Sequence, residues 1–284
     1  MKEFTFVVIA YNHEKSIQEH LDSIKEIVKR YGQDYDTNLL ICDDCSTDMT
    51  VKICQKWIET NDSFFSDTNI IVNDRNIGTV KNYINAIKNV STKDFKVLAG
   101  DDVYELFDIY SIYKQYKDNI LITHVKAFGK GVKKEITDVD VTFYILYEMY
   151  KKKRIKKLLL INNFIAAPGV FVPGKYLKDK GFLEFLSEYK YIEDYPSWIY
   201  LIVYKEVNVV VIDKQYIKYR VGSGISTTSK HNKNNEFLHE DKKIRKQLKI
   251  KSHILPKYIN PYRYWLKYKD ILMKVKLFLN KRYY

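Results

Sequence analysis

Over its first hundred residues the chain alternates short apolar runs with apolar stripes spaced three and four residues apart. Phe4-Thr5-Phe6-Val7-Val8-Ile9-Ala10 is a near-continuous apolar run, as expected of a strand covered on both faces. Ile17, Leu21, Ile24 and Val28 then mark one face of a helix. Leu39-Leu40-Ile41-Cys42 is a second run, and Val51, Cys54 and Ile58 form the stripe after it, with Ser46, Thr47 or Asp48 available as a cap. Ile70-Ile71-Val72, the stripe Val80, Tyr83, Ile84 and Ile87, and the run Phe95-Lys96-Val97-Leu98-Ala99 continue the pattern. This alternation predicts an α/β fold: a parallel, doubly wound, Rossmann-like sheet with helices on both faces.

Beyond residue 102 the spacing predicts a helix carrying Leu106, Ile109, Tyr113 and Tyr116, then a strand over 120–123. Residues 140–161 read as a helix with a basic face, 195–205 as a helix, and 207–212 and 216–220 as strands. No long polar linker or internal repeat interrupts this region, so one domain is expected over 1–225, followed by an extension over 226–284. The extension is lysine-rich and helical in pattern from 230 to 255. Residues 256–284 hold eight basic residues, eight aromatics and a single acid, Asp270. Trp265, Tyr268, Leu272, Val275 and Leu279 recur there at heptad-like spacing among lysines. Such a helix can lie on an anionic membrane, pack against its own domain, or form a homodimer seam.

A net charge of +13 suits an anionic partner, and the excess gathers at Lys151-Lys152-Lys153-Arg154, at Lys156-Lys157 and beyond residue 242. No nucleic-acid-binding motif accompanies it, so nucleic acid is not the expected partner. With 46% apolar residues, global disorder is excluded. No run approaches the ~18 apolar residues of a membrane span, and Met1-Lys2-Glu3 leads into a strand rather than a signal peptide. A cytoplasmic location is expected, with peripheral attachment to the inner membrane face through 256–284. Cys42 and Cys45 have C-x-x-C spacing, but no second pair exists to complete a zinc site; Cys42 and Cys54 read as core residues.

Three acidic pairs carry the chemistry. Asp43-Asp44 and Asp101-Asp102 each follow a strand-like run, and Glu193-Asp194 opens a helical stretch. Buried charge is costly without a partner, and ligands of open α/β sheets bind at the carboxyl ends of the strands. Ala10-Tyr11-Asn12-His13 ends the first strand with amides and a ring suited to a nucleotide. Asn73-Asp74-Arg75-Asn76-Ile77-Gly78-Thr79 is a polar turn into a helix, with Lys81 one turn further on. In Gly100-Asp101-Asp102, carboxylates suit a hard cation such as Mg²⁺ or Mn²⁺, and glycine admits a diphosphate close to the backbone. Glu193 and Asp194 exceed what helix capping requires, and Asp194 suits a general base.

Together, Val8-Ile9-Ala10-Tyr11-Asn12, Asp43-Asp44-Cys45-Ser46-Thr47-Asp48, Asn76-Ile77-Gly78, Leu98-Ala99-Gly100-Asp101-Asp102 and Glu193-Asp194 resemble the successive motifs of family 2 glycosyltransferases of GT-A fold. The resemblance spans residues 4 to about 225 and divides them into a nucleotide-sugar half, about 1–105, and an acceptor half, about 106–225. It implies a metal-dependent inverting transfer of a sugar from a nucleoside diphosphate, by default UDP. The acceptor would be a hydroxyl of a glycan or lipid-linked molecule in surface polysaccharide synthesis. By the same resemblance Ala10, Tyr11, Asn12, Asp43, Asp44, Asn76, Gly78, Lys81, Gly100, Asp101 and Asp102 contact the donor. Asp101 and Asp102 serve the metal, and Asp194, beside Glu193, is the base. Ala166-Ala167-Pro168-Gly169 resembles the acceptor-side segment.

Two positions depart from the family pattern: Ala99 stands where an acid is common, and Gly222 where a histidine is common, with Arg220 or His231 as substitutes. The competing readings are a nucleotidyltransferase-like enzyme, a non-catalytic nucleic-acid-binding protein and an inactive family member. The first would want a glycine-rich basic loop in place of Tyr11-Asn12-His13-Glu14. A nicotinamide enzyme is disfavoured because no G-x-G-x-x-G follows the first strand.

Overall fold

The computed structural model describes residues 2–130, 132, 137–222 and 236–251. Its first half alternates β1 (Lys2–Ala10), α1 (Ile17–Tyr31), β2 (Tyr35–Asp43), α2 (Thr50–Asn61), β3 (Asp67–Val72), α3 (Thr79–Asn89) and β4 (Phe95–Ala99). The four strands form a wholly parallel sheet in the order β3-β2-β1-β4. Successive strand residues point to opposite faces, and both faces are filled. Phe4, Phe6, Val8, Leu39, Ile41 and Leu98 pack with Ile17, Leu21, Ile24, Cys54 and Trp57 of α1 and α2. Val7, Leu40, Cys42 and Phe95 pack with Val80, Ile84 and Ile87 of α3 on the other side. Each such fully buried side chain contributes about 1.5–3 kcal/mol, so a charge in β1 would unmake the sheet. Cys42 and Cys54 lie in opposite layers, and burial pushes both thiols up to about 12, which leaves them inert packing groups.

Of the three residues available to cap α2, one does so. Asp48 accepts the Thr50 N–H at 3.0 Å and serves α2. Ser46 instead closes a turn on Asp43, and Thr47 bonds Asn12.

A second, mixed sheet was not legible as such in the periodicity. It contains β5 (Val103–Tyr104), β6 (Ile120–Phe128), β7 (Val170–Phe171) and β8 (Val209–Arg220) in the order β5-β8-β6-β7. The two strands expected over 207–212 and 216–220 are one strand. Between the pairs Thr123–Ile212 and His124–Gln215, Asp213 and Lys214 form a bulge, whose polarity looks like a turn in sequence. The bulge brings Asp213 to His124 Nδ1 at 3.2 Å, while Asp140 meets Nε2 at 2.7 Å.

The helix α4 (Ile109–Gln115) starts later than its stripe suggested, because Asp108 caps it at Ser111 N (3.0 Å); Leu106 lies outside it, exposed. Residues 140–161 are two helices, α5 (Asp138–Lys151) and α6 (Ile155–Leu159), separated where Lys153 takes φ 54°. Next come α7 (Gly174–Leu177), α8 (Lys180–Leu186) and α9 (Asp194–Trp198), which runs on into a wider π-helical stretch, Ile199–Tyr204. The last described element is α10 (Glu236–Lys251). The basic aromatic segment 256–284 and His231 lie outside the described residues.

Candidate active site

The carboxyl ends of β1, β2 and β4 open into a crevice of 1440 Å³ whose far wall is built by the second sheet and by residues 163–168 and 191–198. Ala10, Tyr11, Asn12, Asp44, Asn76, Gly78, Asp101, Asp102, Glu193 and Asp194 all line it, as do Ala166, Ala167 and Pro168. Asp43, Lys81 and Gly100 do not. Asp43 is 1% exposed and spends its carboxylate on Ser46, accepting from its N–H at 2.7 Å and its hydroxyl at 2.5 Å. Those bonds close the turn over 43–46. Lys81 points to solvent. Gly100 is required by packing, since a Cβ there would lie 2.5 Å from Ile17 Cδ1 and 3.0 Å from His13 Nδ1.

Local hydrogen bonds shape the donor-side wall. Asn12, at φ 56°, accepts from Thr47 N at 2.9 Å and donates its own N–H to Ser46 Oγ at 2.8 Å. His13 N bonds Thr50 Oγ1 at 2.7 Å and Glu14 N bonds Asp48 at 3.1 Å, so the loops after β1 and β2 are zipped together. Tyr11 stays 40% exposed at the rim, a free ring face. Asp44 is the hub of the next turn. Its carboxylate accepts from Asn73 Nδ2 (3.0 Å), Ile77 N (2.8 Å) and Gly78 N (2.9 Å). A carboxylate has room for about four such bonds, which leaves one for a donor in the crevice. Gly78 holds φ 90° in that turn, a conformation that disfavours any side chain.

The second acidic pair lies where the sheets meet. Asp102 is 2% exposed and accepts the Arg220 N–H at 2.9 Å, so it anchors the end of β8. Burial, with the Asp101 charge beside it, holds its carboxyl well above the ordinary range. Arg220 also donates Nε–H to the Asp101 carbonyl at 2.8 Å and pairs with Glu19 at 2.5 Å. Of the two substitutes considered for a missing histidine, Arg220 is therefore beside the acids; at Gly222 itself φ is 96° and a Cβ would meet open space. Lys96, buried in β4, donates to the Val170 carbonyl at 2.8 Å and so ties the two sheets together. Burial brings its amine down to about 7.

On the far wall, Asp194 accepts from Asn163 Nδ2 at 2.7 Å and from the Tyr195 N–H at 2.6 Å. Burial raises the carboxyls of both acids, Glu193 to about 8, with the charge of Asp194 as its second cause. Burial and the neighbouring Asp194 charge favour the protonated form of Glu193, whereas the two hydrogen bonds that Asp194 accepts work against the rise of its own carboxyl. Asn163 was not anticipated; the Asn162-Asn163 pair closing an apolar stretch was its only signal. Trp198 Nε1 and His13 Nδ1 are buried without hydrogen-bond partners among the described residues, and both side chains line the crevice. Buried polar atoms left without a partner in a crevice mark places where a ligand can bond.

A Rossmann-like parallel sheet abutting a mixed sheet, with the crevice between them at the strand ends, is the GT-A class of α/β fold. A family model described as glycosyl transferase family 2 matches residues 5–172, and the chain belongs to that family. Among solved structures, S. aureus TarS 1-349 in complex with UDP-GlcNAc is similar at 20% identity and TM-score 0.53, over 81% of this chain and 61% of that one. TarS 1-349 in complex with UDP is similar at 20% identity and TM-score 0.52, over 87% of this chain and 70% of that one. The chain thus spans about three fifths of the first of these. Comparison with curated protein sequences finds no match. Among the described residues, no helix is long and apolar enough to cross a membrane. No group of three or more His, Cys, Asp or Glu gathers there to hold a metal.

Proposed function

We propose that the chain transfers a sugar, with inversion, from a nucleoside diphosphate donor to a hydroxyl of a glycan or lipid-linked acceptor in cell-surface glycan synthesis. The observation that carries this is the single crevice lined by Tyr11, Asp44, Asp101 and Asp194, residues far apart in sequence. Uridine is the proposed base, because the similar TarS was solved with UDP and with UDP-GlcNAc. Tyr11 offers a ring to the base, and the fourth acceptor position of Asp44 takes an N–H from it. The half over 1–105 receives the donor, the half over 106–225 the acceptor, and 1–225 acts as the catalytic unit.

Asp194 Oδ removes the acceptor hydroxyl proton. The oxygen then attacks the anomeric carbon opposite the diphosphate, whose C–O bond breaks with its electron pair leaving on phosphate oxygen. Asn163 and the Tyr195 amide hold the base in line, and alignment supplies much of the rate. Glu193, protonated at neutral pH, keeps a second charge away from the base. Trp198 Nε1–H is a free donor for the acceptor or the sugar.

The donor set fits a divalent cation: Asp101 offers hard oxygen to the crevice, and Mg²⁺ or Mn²⁺ is commonly held by one or two carboxylates plus substrate phosphates. Asp101 would hold it, with Asp102 supporting from the β8 anchor. Such an ion offsets the charge that grows on the leaving diphosphate. The protein would act at the inner face of the cell membrane, held there by 256–284 or by pairing through that segment.

A thermal-shift panel of nucleoside diphosphates with and without Mn²⁺ tests this reading. UDP should stabilise the chain, more so with Mn²⁺, and at 100 times Kd the gain is about 2.7 kcal/mol. Asp101→Ala should abolish the Mn²⁺-dependent part. No stabilisation by any nucleoside diphosphate would end the proposal.

A further inference from the structure

Helix α10 reaches the catalytic wall from the far end of the described chain. Ile244 is 2% exposed within the core cluster that holds Tyr189, Trp198 and Ile199. The Tyr189 hydroxyl donates to Gln247 Oε1 at 2.6 Å, and Lys243 Nζ donates to the Glu188 carbonyl at 2.7 Å. These contacts explain why the helix docks. They do not explain Glu240.

The Glu240 carboxylate accepts the backbone N–H of Lys190 at 2.5 Å, of Tyr191 at 2.7 Å and of Ile192 at 2.9 Å. Successive amides converging on one anion form a nest, and charge-assisted bonds of this kind are the strong ones. The next two residues are Glu193 and Asp194. From the following turn of the helix, Arg245 Nη2 donates to Asn162 Oδ1 at 2.7 Å, its guanidinium held by Asp241 at 2.7 Å. The neighbouring Asn163 bonds Asp194. One helix therefore grips both segments that hold Asp194.

The strap under Glu240 also meets the donor side. The Lys190 carbonyl accepts the Val80 N–H at 3.1 Å and lies 3.0 Å from where a Gly78 Cβ would be. The Glu240 charge opposes ionisation of Glu193, so docking alone would be served better by a neutral side chain. Three amides pointing the same way do call for an anion. We propose that Glu240 is a positioning residue: by filling the amide nest of 190–192 it fixes Glu193 and Asp194 against the Gly78 turn of the donor wall. This rests on Asp194 being the base.

The test uses the full chain, with Glu240→Ala and, as control on the same helix, Lys243→Ala. UDP release from UDP-GlcNAc is followed with Mn²⁺, and amide hydrogen exchange is read over 188–196. Glu240→Ala should lower kcat about 10-fold or more, with KM for the donor within about 2-fold, because misalignment costs rate rather than donor binding. Exchange at 190–195 should quicken, and added formate, small enough to enter the emptied nest, should restore both. Lys243→Ala should change neither. Unchanged exchange, unchanged kcat, or a loss that Lys243→Ala reproduces and formate leaves untouched would overturn the proposal. Should the unaltered chain release no UDP, it is the functional reading that falls; formate-reversible exchange at 190–195 then upholds or refutes the clamp by itself.

Discussion

Replacing Glu193 by Gln should remove one pH-dependent contribution to stability. Glu193 is partly buried next to Asp194, with the Glu240 charge behind it, and its carboxyl is raised from 4.5 to about 8. A folded-state value above the unfolded one means that the native protein binds the extra proton. The group's contribution is then fully present below about pH 4.5 and is lost as pH rises through 8. At about 1.4 kcal/mol per pH unit, that displacement sets a ceiling of about 5 kcal/mol. Coupling to Asp194 and partial solvent exposure reduce it, and about 2–3 kcal/mol between pH 5 and pH 8 is expected. Urea unfolding of the full chain and of Glu193→Gln, followed by tryptophan fluorescence across that range, measures it. The two should nearly coincide at pH 5, and the variant should be the more stable at pH 8. Titrating groups not coupled to Glu193 cancel in the difference. A gap that stays constant, or that closes as pH rises, would refute the raised carboxyl of Glu193.

Asp194→Asn should lower kcat on the order of 10²-fold or more while UDP affinity, measured by calorimetry, stays within about 2-fold. Gly100→Ala should cost about 1–3 kcal/mol in urea unfolding, because its Cβ falls 2.5 Å from the fully buried Ile17. Deleting 256–284 should weaken sedimentation with anionic liposomes, and binding equal to that of the full chain would remove the segment as an anchor.

The first sheet was legible because its strands and helices are coded by period: Val7 and Leu40 face one layer and Val8 and Ile41 the other, as the alternation requires. The second sheet was not, since β5 and β7 have two residues each and β8 hides a bulge under polar Asp213-Lys214. Among candidate ligand contacts, Asp43 and Asp44 are indistinguishable in sequence. Three hydrogen bonds from the 73–78 turn make Asp44 a crevice residue, whereas Ser46 makes Asp43 a turn residue. Glu240 had a faint signal, as one of three acids in the lysine-rich stretch 230–255. Its target is backbone, and backbone amides look alike in every sequence.

By itself, then, the order of residues determined the layered α/β architecture and the addresses of the acidic pairs, because apolar spacing and strand ends are local properties. Tertiary structure decided which acid faces the crevice, that Asn163 bonds Asp194 from 31 positions away, and that Glu240 grips the strap before it. Those partnerships depend on where the chain returns in space, and hydrogen-bond partners carry no periodic mark that would announce them.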